Sequence, residues 1–367
     1  MNILGFNPSH HGSVCLLQDG ELKHFIQEER VGNREKHSDL PFKSFIDILQ
    51  NYKIDFITWG TPSIKYPINN LDTSDFPYWQ SIAESYNPKI EYYDFSLQHH
   101  HNLHAAHSFY NSGFKKCIGV VIDGLGSFVK DNNKNKIGQE TESVFLCSYP
   151  HSFKVLYKNF RSFKSQTINL SQSYETVTMY LGWSIDEAGK TMGLSPYGKY
   201  DPNIPHLIEN NSGNPKVFYG LLENPKTFID KEKNPQLKLQ RDPKEWHYDK
   251  TKITDLEKDL AWKIQNDTQQ LVGDYIEKSI QETGLKQVCC AGGYFLNCVT
   301  NYYLLKRFPD VKFYFEPIAN DAGTAIGAAK LIWHRKTQDT TLRPFKSLYL
   351  GKQYPKEELL KVTKKYT

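Results

Sequence analysis

At Lys116 the chain begins its opening pattern a second time, and that restart limits the folds available to it more than any other feature. The first unit opens with three strand-like runs, residues 2 to 7, 13 to 18 and 21 to 28, and Asp19-Gly20 between the last two is a hairpin signal. A helical segment follows from Pro41 to about Tyr52, then a short apolar strand from Phe56 to Gly60. A helix from His100 to Ser112 closes the unit, with apolar positions at Leu103, Ala106 and Tyr110. The second unit starts on the nearly continuous apolar run Cys117 to Asp123 and turns on Gly124 and Gly126. Strands near Ser143 to Tyr149 and Phe153 to Phe160 continue it. Helices at about Leu170 to Leu181 and Thr254 to Thr283 lead into strand Gln287 to Ala291, helix Asn297 to Phe308, strand Val311 to Glu316 and helix Asp321 to Arg335. Such alternation predicts an α/β fold, mainly parallel, with helices on both faces of the sheet, and self-similarity on this scale is the mark of a duplicated unit.

At 367 residues the chain exceeds the size at which one core stops growing, so two packed subdomains are expected, residues 1–115 and 116–336. Residues 199–252, rich in Asn, Pro, Lys and Gly, read as an irregular insertion, either a plain surface loop or a lid over a cleft. From Thr337 the chain turns polar and basic, and residues 337–367 read as the start of a linker to something further. No run approaches the roughly 20 apolar residues of a membrane helix, and no charged leader with an apolar run opens the sequence, so a cytoplasmic protein is expected. The six cysteines form no C-x-x-C pair and suit buried, reduced thiols. A net charge of +4, spread along the chain, fits an anionic small ligand better than a nucleic-acid groove.

The sharpest local signal is the histidine-rich run from residue 98 to 107. On a helix His100 and His104 project from one face, four residues apart, at a separation one metal ion bridges. A solvated helix start would look the same, and His99, His101 and His107 read as supporting or surface groups. Asp123 ends a buried strand and is followed by Gly-Leu-Gly, where open α/β sheets place their ligands; a turn-forming Asp-Gly is the plainer alternative. Asp321 opens a run of small residues that packs a helix start tightly, and there the plainer alternative is an N-cap. Two imidazoles and two carboxylates suit Fe(II), Mn(II) or Zn(II), acting as a Lewis acid. Gly292-Gly293, between a strand and a helix, permits close approach of a nucleotide or simply makes a tight turn. Gly189 to Gly198 is a glycine-rich loop without P-loop spacing, and its Lys190 is a candidate phosphate contact.

Together these segments resemble the N-terminal domain of the nodulation-protein U and antibiotic O-carbamoyltransferase family. The resemblance is carried by Ile3-Leu-Gly-Phe-Asn-Pro-Ser-His-His-Gly-Ser13, Gln27-Glu-Glu-Arg-Val31 with Arg34-Glu-Lys-His37, and His100-His-Asn-Leu-His-Ala-Ala106. It continues through Val121-Ile-Asp-Gly-Leu-Gly126, Tyr174-Glu-Thr-Val-Thr178, Gly189 to Gly198, Gly292-Gly-Tyr-Phe-Leu-Asn297 and Asn320-Asp-Ala-Gly323. It implies an actin- and sugar-kinase-like fold of two RNase H-like subdomains with a cleft between them. It also implies carbamoyl transfer from carbamoyl adenylate, made from ATP and carbamoyl phosphate in a separate C-terminal domain, to an acceptor hydroxyl on a sugar or other small metabolite. Carried over by position, the metal ligands are His100, His104, Asp123 and Asp321, with iron the first choice, and His11 is the general base or acceptor-positioning group. Lys36 would meet carbamoyl adenylate, and Glu175, Gly292, Gly293 and Asn297 would line the nucleotide. Two features depart from the family pattern. Gly12 stands where the family has aspartate after the first-turn histidine, and no Glu-Phe-Gly-Pro-Arg-Ala-Leu-Gly-type segment, the hallmark of the C-terminal domain, occurs in residues 1–367. A separate partner chain, a truncation or a decayed gene would each account for the second. A kinase or ATPase of the same fold, or a nucleotide- or metal-binding regulatory subunit, remain the competing readings. A metalloprotease is not, because His101 stands where its glutamate base would be.

Overall fold

Asp19 and Gly20 sit at φ of 48° and 84°, the two successive left-handed residues that a type I′ turn requires. The hairpin they close belongs to a computed structural model that describes all residues except 10, 32–39, 61–75, 96–98, 131–135, 163–169, 205–206, 212–213, 218–252, 351–353 and 367. Strand β1 (Asn2–Asn7) pairs antiparallel with β2 (Ser13–Gln18), and β2 with β3 (Glu21–Gln27). Helix α1 (Phe42–Asn51) leads to β4 (Phe56–Trp59) and helix α2 (Phe76–Tyr86) to β5 (Glu91–Asp94), both joining in parallel on the far side of β1. The resulting order is β3-β2-β1-β4-β5.

After helix α3 (His100–Ser112) the same order is built again. Strand β6 (Lys116–Ile122) is followed by the short β7 (Phe128–Lys130), by β8 (Lys136–Ser148) and by β9 (Ser152–Ser162). Helices α4 (Leu170–Tyr180) and α5 (Ala188–Leu194), the small hairpin β10 (Ile208–Asn211) and β11 (Asn214–Val217), and α6 (Asp255–Thr283) come next. The chain then runs through β12 (Gln287–Ala291), α7 (Cys298–Arg307), β13 (Lys312–Phe315), α8 (Thr324–Thr337) and α9 (Lys356–Thr363). Strand β8 pairs antiparallel with β6 and β9, while β12 and β13 add in parallel beyond β6, so β9-β8-β6-β12-β13 reproduces the first sheet. Helix α6 is fixed at both ends: Thr254 and Glu257 exchange a reciprocal capping box, and Gly284 closes it in the left-handed conformation.

Three apolar layers separate these sheets and helices. One lies outside the first sheet under α1 and α2, around Leu4, Phe6, Phe45, Trp59 and Trp79. Another lies outside the second sheet under α4, α6 and α7. The third lies between the sheets and includes Ile3, Leu17, Phe109, Val121, Ala325 and Ile332. Within that middle layer the two halves exchange helices. Helix α3, from the first half, covers β6, β8 and β12, whereas α8, from the second half, covers β1, β2 and β4. The chain boundary near residue 115 therefore marks where the strand order restarts, and each half supplies the inner cover of the other. Backbone approach is close enough to require glycine: a Cβ on Gly327 would stand 2.1 Å from Leu103 O, and one on Gly5 2.2 Å from Ala325 O.

The described part of the insertion is tied to α6, with Lys199 N–H donating to Asp259 Oδ1 and Leu207 N–H to Asp267 Oδ2. The remainder of residues 199–252, and with it the lid, lies outside the described residues. The segment after α8 folds back so that Phe345 N–H donates to Asn111 O. Five cysteines are buried as free thiols and Cys298 is exposed. Among the described residues no helix is long and apolar enough to cross a membrane.

Candidate metal centre

His100 opens α3, and its backbone N–H is taken by Ser127 Oγ at 3.1 Å, a cap supplied from another element because His99 offers none. One turn on, His104 brings its Nε2 to 3.2 Å from His100 Nε2. Asp123, one residue beyond β6, places Oδ2 3.1 Å from His100 Nε2 and 3.9 Å from His104 Nε2. Asp321, just ahead of α8, places Oδ1 3.4 Å from both imidazoles. All four residues are buried and their ligand atoms lie within 4.8 Å of one another. With bonds of about 2.0–2.2 Å to a central ion, neighbouring donors stand roughly 3–3.6 Å apart, the spacing of four of these five contacts, the His104–Asp123 pair at 3.9 Å being wider. Two neutral nitrogen donors and two carboxylates are a fitting set for a borderline divalent cation.

The electrostatics agree with the geometry. Burial opposes a charge on His100, yet the carboxylates of Asp321 and Asp123 outweigh it and push that imidazole up to about 10. Burial and the Asp321 charge work against ionisation of Asp123, and its hydrogen bond to His100 with the neighbouring imidazole charges still holds it below the usual carboxylate range. A pocket that concentrates negative potential on one buried point attracts a cation, and a proton there competes with a metal.

Neighbouring groups frame one side of the centre. Gly293 N–H donates to the other oxygen of Asp123, Oδ1, at 3.0 Å. Gly292, at φ 95°, would drive a Cβ to 2.2 Å from Ile122 O, so the turn carrying Gly293 can close on the end of β6 only with glycine. Glu175, on α4, lies beside Gly124, whose absent Cβ would be 3.5 Å from Glu175 Oε1. Burial and the charges of Asp123 and Asp186 push Glu175 up to about 8. His11 occupies the turn between β1 and β2 at φ 61°, and Asn7 Nδ2 reaches both His11 O, at 3.4 Å, and Asp321 O, at 3.2 Å.

Other sequence candidates stand differently. Asn297 uses its side chain as the cap of α7, accepting from Thr300 N–H at 3.0 Å and donating to Gln265 Oε1 at 2.8 Å. Lys190 is on the exposed face of α5, ion-paired with Glu187. Lys36 lies outside the described residues. His101 and His107, read as supporting or surface groups, are wholly buried, the first with Nδ1 2.8 Å from Ser143 Oγ and the second with Nε2 3.4 Å from Glu316 Oε1. Sequence reasoning passed over Glu316, although it is a further acid just past a parallel strand, the same signal that marked Asp123.

Comparison with known proteins bears on the whole arrangement. Residues 63–330 match the family model described as carbamoyltransferase N-terminus. The nodulation protein NolNO of Sinorhizobium fredii is 27% identical over 368 residues, 93% of this chain and 49% of that protein. The uncharacterized protein sll1178 of Synechocystis is 30% identical over 278 residues, 71% of this chain and 40% of its own length. The chain thus spans about half, or less, of the length of these curated relatives. Among solved structures, HypF of T. kodakarensis aligns with a TM-score of 0.52 at 12% identity, over 92% of this chain and 48% of that one, a likeness of fold alone. The repeated strand order is that of the expected fold of two RNase H-like subdomains.

Proposed function

The chain belongs to the carbamoyltransferase N-terminal domain family, and from that premise we propose that its buried His/Asp centre transfers carbamoyl from carbamoyl adenylate to a hydroxyl of a sugar or other small metabolite. The observation that carries the proposal is the convergence of His100, His104, Asp123 and Asp321 from three separate elements onto one buried point. In this reading those four hold a single divalent ion, iron first, with manganese and zinc as alternatives. Such an ion supplies Lewis-acid polarisation of the carbamoyl carbonyl.

The chain's own residues do the rest. The acceptor oxygen forms its bond to the carbamoyl carbon, the bond from that carbon to the phosphate oxygen breaks, and AMP leaves. The acceptor proton goes to His11, held in a fixed turn whose backbone is tied to Asp321 through Asn7. The Gly292-Gly293 turn gives the nucleotide a close approach to the backbone beside Asp123, and Glu175 faces the same end of the sheet. Lys36, Lys190 and Asn297 complete the nucleotide contacts in this scheme. Formation of the adenylate from ATP falls to the additional length that the relatives possess, whether on this protein or on a partner chain.

The test supplies purified protein, metal, carbamoyl adenylate and a panel of hydroxylated acceptors, and follows AMP release. His104→Ala is expected to lower acceptor-dependent release by about 100-fold or more, the scale of losing a metal's charge stabilisation. Release that ignores both the metal and His104 would remove the proposal.

A further inference from the structure

Helix α3 carries a buried polar stripe. His100, His104, His107 and Asn111 follow one another at helical spacing along a single face, and all four are fully buried. The first two belong to the metal centre. The last two meet Glu316, a wholly buried carboxylate one residue past β13 and five residues before Asp321.

The partners of Glu316 divide between its two oxygens. Oε2 accepts from Asn111 Nδ2 at 2.9 Å and from Tyr314 Oη at 3.3 Å. Oε1 accepts from Ile318 N–H at 3.2 Å and lies 3.4 Å from His107 Nε2. Ile318 is in the loop that delivers Asp321 to the centre. Asn111 in turn accepts from Lys330 Nζ, on α8, at 2.7 Å. One carboxylate therefore grips the helix that presents both imidazoles and the loop that presents the second aspartate. Through Asn111 and Lys330 it also reaches the helix that this aspartate precedes.

We propose that Glu316 is a positioning residue for the metal centre, fixing α3 against the Asp321 loop so that His100 and His104 stand at ligand distance from Asp321. The proposal rests on the metal reading above and adds a residue that touches neither the ion nor its ligands. A buried ionisable cluster is a poor device for stability alone, since apolar side chains of the same volume would serve as well or better. Divided acceptance at both oxygens is a good device for holding two backbones in register. Glutamine at this position has one acceptor oxygen where the carboxylate has two, so it gives up either the hydrogen bond from Ile318 N–H or the one from Asn111 Nδ2.

The experiment measures metal affinity of the folded full chain by competitive titration with Mn(II) and Zn(II), and ligand geometry from the visible absorption of the Co(II)-loaded protein. Glu316→Gln is expected to lower affinity by about tenfold, the lower end of the range for losing a direct partner of a metal ligand, because it acts through α3 and the loop, and to shift the cobalt bands. Asn111→Ala keeps the carboxylate and removes its hydrogen bond from α3 together with the acceptor of Lys330 Nζ, and it gives the same reading should the first variant fail to fold. Lys263→Met is the control, because it breaks a buried ion pair with Asp267, 3.1 Å, within α6, a helix that carries none of the four ligands. That variant should lose stability and keep the parent's affinity and cobalt spectrum. Parent affinity and spectrum in folded Glu316→Gln or Asn111→Ala would overturn the positioning role. A parent protein that binds none of these metals would instead overturn the function proposed above, and the two failures are separate.

Discussion

At Gly292 a left-handed backbone and a would-be backbone clash coincide. Its φ of 95° and the 2.2 Å between a would-be Cβ and Ile122 O leave an alanine neither a relaxed backbone nor room. Gly292→Ala is expected to destabilise the protein by about 3 kcal/mol, the combined scale of left-handed strain and a backbone clash. It should also weaken metal binding, because Gly293 N–H would no longer reach Asp123. Denaturant unfolding gives the first and metal titration the second; a stable variant with parent affinity would show that the turn tolerates a side chain. The residues brought together at the centre were legible because each carries a local signal: two histidines four apart, and acids at the end of a strand or the start of a helix. Glu316 carries the strand-end signal of Asp123 and nothing more, and Asn111 carries none, since their partnership spans 205 residues of chain and exists only once β13 lies beside α3.

Elements were legible in proportion to their length and caps. Helix α6 announces itself by the Thr254 and Glu257 box and by Gly284, whereas β5 is four residues with both ends exposed, and α2 follows a long polar stretch. Neither α2 nor β5 shows a usable period, and only pairing with β4 and packing under the first sheet reveal them. The end of α8 shows what an element adds to such patterns. There His334 stacks on Tyr110 with ring centroids 4.2 Å apart, and its Nδ1 lies 2.6 Å from Asp339 O. Burial is the main cause that pushes this imidazole down to about 4, from an ordinary value of 6.5. A histidine depressed in the folded state contributes stability that is complete above about pH 6.5 and is lost as pH falls towards 4. His334→Phe keeps the stacking ring and removes the titration. Its unfolding midpoint should therefore fall less between pH 7 and pH 4.5 than the parent's, and equal slopes for the two proteins would exclude His334 as a source of the acid sensitivity.

On the scale of the molecule, the duplication was legible and the exchange of helices was not, because sequence order assigns α3 to the first unit and α8 to the second. Packing assigns them the other way. Without α8 the first sheet exposes its inner face, including Ile3, Cys15 and Leu17, all fully buried in the whole chain. Each such aliphatic side chain is worth about 1.5–3 kcal/mol when buried, and a domain's whole net stability is only about 5–15 kcal/mol. Residues 1–115 made alone should therefore fail to fold, showing no cooperative thermal transition and little dispersion of amide resonances. In the full chain the same coupling predicts one transition for both halves, with coincident curves from far-ultraviolet dichroism, dominated by helices of the second half, and from the fluorescence of a variant that keeps only Trp59 and Trp79 and carries Phe in place of Trp183, Trp246, Trp262 and Trp333. A folded 1–115 fragment, or two separated transitions in the full chain, would mean that the metal centre joins two independent bodies. Its ligands come from both sides of that boundary, His100 and His104 before residue 115, Asp123 and Asp321 after it, so a single cooperative body is what holds them at fixed spacing.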